Sequence, residues 1–297
     1  MTKNLPDLVE DFLRYLKVQR GRTALTVRNY QLYLKRFLGW CTAGHLGLVT
    51  ELTRERLRHY RLWLSHQRSQ GGSPLSLATQ NYHLTALRSF VNYLKYKEVP
   101  TLSANSITLH PPLQRRVMTL SELELTALNR AVEESHEPAL VKLRDQAVLE
   151  LISSNGLKVS ELVALRRDQV DTTGRKLSLE RYKKKELITL PGYVCQRVKT
   201  YLEQRTDRSA YLFVRHDRAA TSKEPERLTP RSVQRALERY RKLAGLRQKV
   251  TPHTLRHSFA ARLTRDGADL ATVQTRLGLK HRVGAEVYRR NNENTIR

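Results

Sequence analysis

Apolar side chains recur at helical spacing through the first third of the chain. Between about residues 4 and 97, four stretches place Leu, Val, Phe and Tyr three or four positions apart, which is typical of amphipathic helices. Gly44 and Gly47 precede the third stretch, and the run Gly-Gly-Ser-Pro at 71–74 precedes the fourth, so both gaps carry turn chemistry. The pattern predicts a bundle of four helices.

The helical period is lost over residues 98–117. This segment contains Pro100, Pro111 and Pro112, and proline interrupts both helices and central strands. We therefore predict a helical domain over residues 1–100, an interdomain linker over 101–117 and a second domain over 118–297.

The second domain begins with a helical pattern. Ser121 and Glu124 have the spacing of a capping box, and helical periodicity continues to about Ile152 before Asn155-Gly156 interrupts it. A short amphipathic segment, 159–165, follows.

Two alternating segments, 176–179 and 187–190, predict the strands of a hairpin with a cationic turn over 181–185. Residues 211–214 fit a further short strand, and a basic helix is predicted from Thr229-Pro230 to about Leu243. The predicted fold is therefore mainly α with a small antiparallel β-sheet.

One predicted helix is suited to an anion. Thr251 is a plausible N-cap, Pro252 suits the first helical position, and Gly267 ends the apolar periodicity. His253 and Arg256 are three residues apart, so they project from one face near the helix N-terminus, where backbone N–H groups favour negative charge. A phosphate group is the expected ligand.

Charge makes nucleic acid the expected partner. The chain carries 54 Lys and Arg against 28 Asp and Glu, a net charge of +26. The excess is +10 over residues 1–110 and +16 over 111–297, so both parts are basic. There is no apolar run long enough for a membrane span and no signal-peptide pattern, so a cytoplasmic protein is expected. The two cysteines, Cys41 and Cys195, lack metal-ligand spacing and are expected to be reduced thiols.

Four segments together resemble the tyrosine recombinases, specifically the bacterial Xer and phage-integrase type. They are NGLKVSELVALRRDQVD at 155–171, KKKELITLP at 183–191, HTLRHSFAARL at 253–263 and LGLKHRVGAEVY at 277–288. The resemblance implies a SAM-like core-binding domain followed by a catalytic domain. It also implies a site-specific recombinase that cleaves and rejoins double-stranded DNA through a 3′-phosphotyrosine and a Holliday junction.

The same resemblance implies a homo- or hetero-tetramer on DNA, with or without a second recombinase, no cofactor or metal, and a nucleoid-associated location. Tyr288 matches the nucleophile, Arg256 the second catalytic arginine and His253 the histidine of the HxxR motif. The leaving-group lysine falls in the hairpin turn, where we prefer Lys183 and keep Lys184 as the alternative. We interpret His257 as structural support.

Two positions depart from the family pattern. Lys158 stands where the family has its first catalytic arginine, and lysine lacks the planar two-pronged donor. Leu279 lies nine residues before Tyr288, the position of the family's His or Trp, whereas His281 lies seven before it and is out of register on a helix. These departures leave two functions open, a recombinase of reduced activity and a non-cleaving relative that binds DNA or junctions as an accessory partner.

A generic helix-turn-helix regulator is a third alternative, which leaves the hairpin and the spacing from HxxR to Tyr288 unexplained. Contacts with DNA are expected to be mainly to backbone phosphates, which makes affinity depend on salt. The basic residues predicted to make them are Arg20, Arg22, Arg28, Lys35, Lys184, Lys185, Arg231 and Arg235.

Overall fold

The computed structural model describes residues 4–44, 46–69, 71–111, 117–182, 184–216, 225–281 and 283–293. The chain divides into two compact units, an N-terminal unit of residues 1–114 and a C-terminal unit of residues 115–297. Within the described ranges, no helix is both long and apolar enough to cross a membrane.

The N-terminal unit contains the four predicted helices. Each begins at a polar side chain that accepts a hydrogen bond from a backbone N–H of the first turn, which satisfies one of the otherwise unpaired amides. The helices are α1 (Leu5–Val18), α2 (Ala24–Ala43), α3 (Arg54–His66) and α4 (Leu77–Tyr96).

Aromatic rings fill the core of this unit. Phe12, Phe37, Tyr60 and Phe90 are almost completely buried, and the Phe37 and Tyr60 rings meet edge to face with centroids 5.2 Å apart. Such contacts bury large apolar areas and favour one packing arrangement.

The first half of the predicted linker packs on the N-terminal unit. The Ile107 side chain is buried in its core, and the Ile107 carbonyl accepts a hydrogen bond from Arg88. The Asn81 side chain is hydrogen-bonded to the backbone of His110. After residue 98 the chain therefore leaves the α-helical conformation and continues to Pro111 as a segment that packs on this unit.

The C-terminal unit is built of helices around a small sheet, which confirms the predicted fold class. The helices are α5 (Glu122–Glu133), α6 (Ala139–Asn155), α7 (Val159–Ala164), α8 (Gly192–Glu203), α9 (Pro230–Leu243), α10 (Pro252–Arg265), α11 (Leu270–Leu277) and α12 (Val283–Glu293). The strands are β1 (Val170–Asp171), β2 (Lys176–Arg181) and β3 (Lys184–Thr189), antiparallel in the order β1-β2-β3.

The hairpin differs from its prediction at the turn. Strand β2 continues to Arg181, which pairs with Lys184, so the predicted cationic turn is shorter than expected. The Arg181 side chain is 2% exposed instead of lying at the tip, because Glu161 supplies a partner for its charge. Residues 211–214 form only isolated bridges, Arg166 with Tyr211 and Val214 with Arg227.

Helix α6 lies at the centre of the C-terminal unit and packs against α5, α7, α8 and α10. It ends at Gly156, whose φ of +63° is the left-handed conformation that glycine adopts without a steric penalty. A Cβ at this position would lie 2.4 Å from Phe259 Cδ1, so close packing of α10 also requires glycine. Helix α6 therefore ends in direct contact with α10.

Candidate active site

Helix α10 begins as its sequence predicts. The Thr251 hydroxyl accepts a hydrogen bond from the Thr254 amide at 3.1 Å, and Pro252 occupies the first turn. His253 is exposed at this end of the helix, whereas Arg256 is 5% exposed. The two side chains therefore differ in accessibility although their spacing puts them on one side of the helix.

Arg256 joins the ends of two other helices. Its guanidinium donates to the carbonyl of Gly156 at the end of α6 and, at 2.6 Å, to the carbonyl of Leu277 at the end of α11. Burial lowers the pKa of Arg256, although an arginine remains charged near neutral pH. These bonds fix a positive charge where three helices meet.

Tyr288 lies on α12 and packs among apolar side chains of α10 and α11. Its side chain contacts the cluster that includes Phe259, Ala260 and Leu277, and it is 5% exposed. Its hydroxyl lies 2.7 Å from His257 Nδ1. Burial raises the pKa of Tyr288, and the charge of Arg256 opposes that rise.

His257, interpreted from the sequence as structural support, lies next to Tyr288. Its ring centroid is 5.5 Å from that of Tyr288 and 6.3 Å from that of His253. Burial, and then the charges of His253 and Arg256, lower the pKa of His257 to about 4. The sequence signal was its position four residues after His253, one helical turn further into the unit.

Lys158 is held between two acceptors. It precedes α7, and its Nζ lies 3.4 Å from Glu161 Oε1 and 3.2 Å from the Gly278 carbonyl oxygen. The Gly278 oxygen also accepts from the Tyr182 hydroxyl at 3.1 Å, and Lys158 Nζ lies 5.7 Å from the Tyr182 ring centroid. Lys158 is therefore held by Glu161 and by the end of α11, and it lies beside the hairpin.

Behind Lys158 lies an ion pair that the motifs did not reveal. Arg181 donates two hydrogen bonds to the Glu161 carboxylate, at 3.0 and 2.9 Å. Burial alone would raise the pKa of Glu161, but bonds from Arg181 and the Lys158 amide outweigh burial and hold it below its usual range. A Cβ at Gly278 would lie 2.6 Å from Arg181 Cδ, so the end of α11 packs directly on this pair.

Leu279 and His281, the two residues considered as phosphate contacts before α12, lie in different surroundings. Leu279 is half-buried and packs against the apolar cluster that contains Tyr288, and its amide donates to the carbonyl of Gln274. His281 is exposed in the turn that precedes α12. Leu279 therefore presents an apolar side chain to the cluster around Tyr288.

Lys183, the preferred leaving-group lysine, lies outside the described residues. The alternative, Lys184, and its neighbour Lys185 are exposed on β3. The remaining predicted DNA-contacting residues are all exposed, and they are Arg20, Arg22, Arg28 and Lys35 in the N-terminal unit and Arg231 and Arg235 on α9. In the parts of the chain that the structure describes, no group of three or more His, Cys, Asp or Glu side chains is arranged to hold a metal ion.

Comparison with known proteins decides the family. The model of the phage integrase family matches residues 118–295, and that of the phage integrase N-terminal SAM-like domain matches residues 9–98. The chain belongs to the phage integrase family. The two matches cover most of both units, so the family resemblance in the motifs extends through the whole fold.

Relatives within the family are Xer-type tyrosine recombinases. The tyrosine recombinase XerD of Listeria monocytogenes is 31% identical over 92% of this chain and 90% of that protein. The tyrosine recombinase XerA of Thermococcus kodakarensis is 30% identical over 95% of this chain and 90% of that protein. The XerH site-specific recombinase bound to palindromic difH shares the fold, with a TM-score of 0.75 at 20% identity over 97% of this chain and 82% of that one.

Proposed function

We propose that the protein is a site-specific recombinase in which Tyr288 attacks a phosphodiester of double-stranded DNA. The observation that carries this proposal is the family match over both units, together with a buried tyrosine on α12 that packs against α10, the helix that carries Arg256. The large positive charge of the chain fits a polyanionic substrate.

The chemistry follows from the arrangement. As Tyr288 Oη bonds to phosphorus, negative charge grows on the non-bridging oxygens, and the fixed guanidinium of Arg256 stabilises it. Lys158 contributes a second positive charge, and His253 is accessible at the helix N-terminus to bind the phosphate. A lysine at the tip of the hairpin, Lys183 or its neighbour Lys184 at the start of β3, donates a proton to the leaving 5′ oxygen.

The resulting 3′-phosphotyrosine conserves the energy of the broken bond. A 5′ hydroxyl from another strand then attacks the phosphorus, Tyr288 leaves, and the new strand is sealed. Strand exchange of this kind between two duplexes requires four active sites and passes through a Holliday junction. We therefore infer a tetramer on DNA, made of one or two kinds of recombinase. Because the substrate is double-stranded DNA, we also propose that the protein is cytoplasmic and nucleoid-associated.

Binding should depend steeply on salt, because it is expected to rest on contacts with backbone phosphates. The exposed basic residues of both units are the candidates, among them Arg28 on α2 and Arg235 on α9. Replacing either by alanine is expected to weaken binding and reduce the slope of log affinity against log salt by about one per lost phosphate contact.

Covalent trapping tests the chemistry. Binding sites are first selected from a pool of random duplexes, and nicked versions then serve as suicide substrates that prevent religation. A covalent protein–DNA adduct is expected for the wild type and for Tyr193→Phe, a control at an exposed tyrosine of the same unit, but not for Tyr288→Phe. Absence of a wild-type adduct on every selected site would refute the proposal.

A second candidate function is a non-cleaving relative that holds a site or a junction. The observations that favour it are the apolar packing of Leu279 and the presence of a lysine at position 158. Removing one preorganised donor from such a site typically costs about a hundredfold to a thousandfold in rate. Combining Lys158→Arg with Leu279→His is then expected to create or greatly increase cleavage at unchanged DNA affinity, whereas no increase over wild type would argue against it.

A further inference from the structure

The hydroxyl of Tyr288 meets a nitrogen base inside the unit. His257 Nδ1 lies 2.7 Å from Tyr288 Oη, which is a good hydrogen-bond distance. The two groups come from different helices, α10 and α12, which pack against each other. The contact is therefore made by tertiary structure at the oxygen that must lose a proton before or during attack.

The His257 ring also lies near an exposed histidine of the same helix. His253 precedes His257 by one turn on α10 and is exposed, so the rings of His253, His257 and Tyr288 follow one another from the surface into the interior.

Burial and the surrounding charges keep His257 unprotonated, which leaves a ring nitrogen free to accept a hydrogen bond from Tyr288. The groups that act on it are His253 and Arg256 on its own helix, and Tyr288 is the titratable side chain that contacts it from α12. Positive neighbours and burial both disfavour the imidazolium, so the ring is neutral near pH 7. A phosphate bound beside Arg256 offsets that positive charge and makes His257 more basic when substrate is present.

We propose that His257 is the general base of the cleavage step, a role that rests on the recombinase function proposed above. As Tyr288 Oη forms its bond to phosphorus, the Oη–H bond breaks and the proton passes to His257 Nδ1. The bond from phosphorus to the 5′ oxygen breaks in the same displacement, and the hairpin lysine protonates that oxygen. In resealing, His257 returns the proton to the departing Tyr288 oxygen.

The replacement His257→Asn separates this role from a structural one. Asparagine places an oxygen near the position of Nδ1, so it accepts a hydrogen bond from Tyr288 without being able to take the proton. His136→Asn is the matched control, because His136 is an exposed histidine of the same unit. Circular dichroism and DNA affinity establish that each variant folds and binds.

The measurement is the single-turnover rate of adduct formation between pH 6 and 8. The substrate carries sulfur in place of the scissile 5′ oxygen, so that departure of the leaving group needs no proton and proton transfer from Tyr288 is isolated. The wild type and His136→Asn are expected to show a rate nearly independent of pH. His257→Asn is expected to be slower by about a hundredfold or more, with a rate that rises about tenfold per pH unit as the phenolate forms.

A His257→Asn rate equal to wild type, or faster, would overturn the role, since a faster rate would mean that His257 restrains Tyr288. Nitrogen NMR of the wild-type histidines gives a second test that does not depend on the variant. The proposal requires the neutral ring to carry its proton on Nε2, and a proton on Nδ1 would contradict it. A wild type that forms no adduct refutes the recombinase function itself, whereas an active wild type with an unaffected His257→Asn refutes only the role of His257.

Discussion

Replacing Gly156 by alanine is expected to destabilise the C-terminal unit through two separate effects. The φ of +63° is unfavourable for alanine, and the new Cβ would lie 2.4 Å from Phe259 Cδ1 and 2.9 Å from Leu277 Cδ2. The first effect costs about 1 kcal/mol. The second is overpacking of a close-packed interior, which costs about 1–3 kcal/mol, so the free energy of unfolding should fall by roughly 2–4 kcal/mol in total.

Gly245→Ala is the matched control for the backbone effect. Gly245 has a φ of +67°, yet a Cβ there would have no heavy atom within 4 Å. Its substitution should therefore cost only the conformational part, about 1 kcal/mol. The difference between the two variants measures how tightly α6, α10 and α11 meet at the site.

The assay must report the C-terminal unit, because the two units need not unfold together. Both tryptophans, Trp40 and Trp63, lie in the N-terminal unit, so tryptophan fluorescence follows the unfolding of that unit. Its urea midpoint should be the same in both glycine variants as in the wild type. The buried thiol of Cys195 reports the other unit through its labelling rate in urea, with Cys41 distinguished by peptide mass spectrometry. Equal destabilisation by Gly156→Ala and Gly245→Ala would refute the packing argument.

Two further predictions concern buried charge. Glu161→Gln should lower the free energy of unfolding of the C-terminal unit by up to roughly 3 kcal/mol, since it removes the carboxylate that binds the buried Arg181 through two hydrogen bonds and leaves the ion pair with the more exposed Glu186. Glu238→Gln, at the more exposed pair with Arg241, should change it far less, and thiol labelling of Cys195 compares the two variants. His83 is neutral when folded because burial and the charge of Arg36 lower its pKa to about 4. Protonation therefore favours the unfolded state, and the stability of the N-terminal unit should fall as the pH drops from about 6.5 to about 4. Urea unfolding followed by tryptophan fluorescence should show a smaller fall of the free energy of unfolding in His83→Gln than in the wild type. An identical pH dependence in the two proteins would mean that His83 is not the cause.

Local sequence was sufficient for the four N-terminal helices, for α9 and α10 and for the outline of the hairpin, but α8 and the break between α5 and α6 were not predicted. The capping residues Thr251 and Ser121 bond to amides three positions away, so their roles depend only on near neighbours. Strand β1 was missed because two residues carry no periodicity, and its place in the sheet depends on pairing with β2. The path of residues 101–111 over the N-terminal unit was missed for a similar reason, since it depends on partners such as Arg88 and Asn81 on α4.

The sequence alone determined the family, the fold class and the candidates Tyr288, Arg256, His253 and Lys158, because each occupies a fixed place in a recognisable motif. Only the tertiary structure showed that His257 meets the Tyr288 hydroxyl and that Arg181 binds Glu161 behind Lys158. These pairs are 31 and 20 residues apart in the chain. Their contacts depend on the packing of α10 against α12 and of the hairpin against α7, and no local pattern of residues encodes a distance between separate elements.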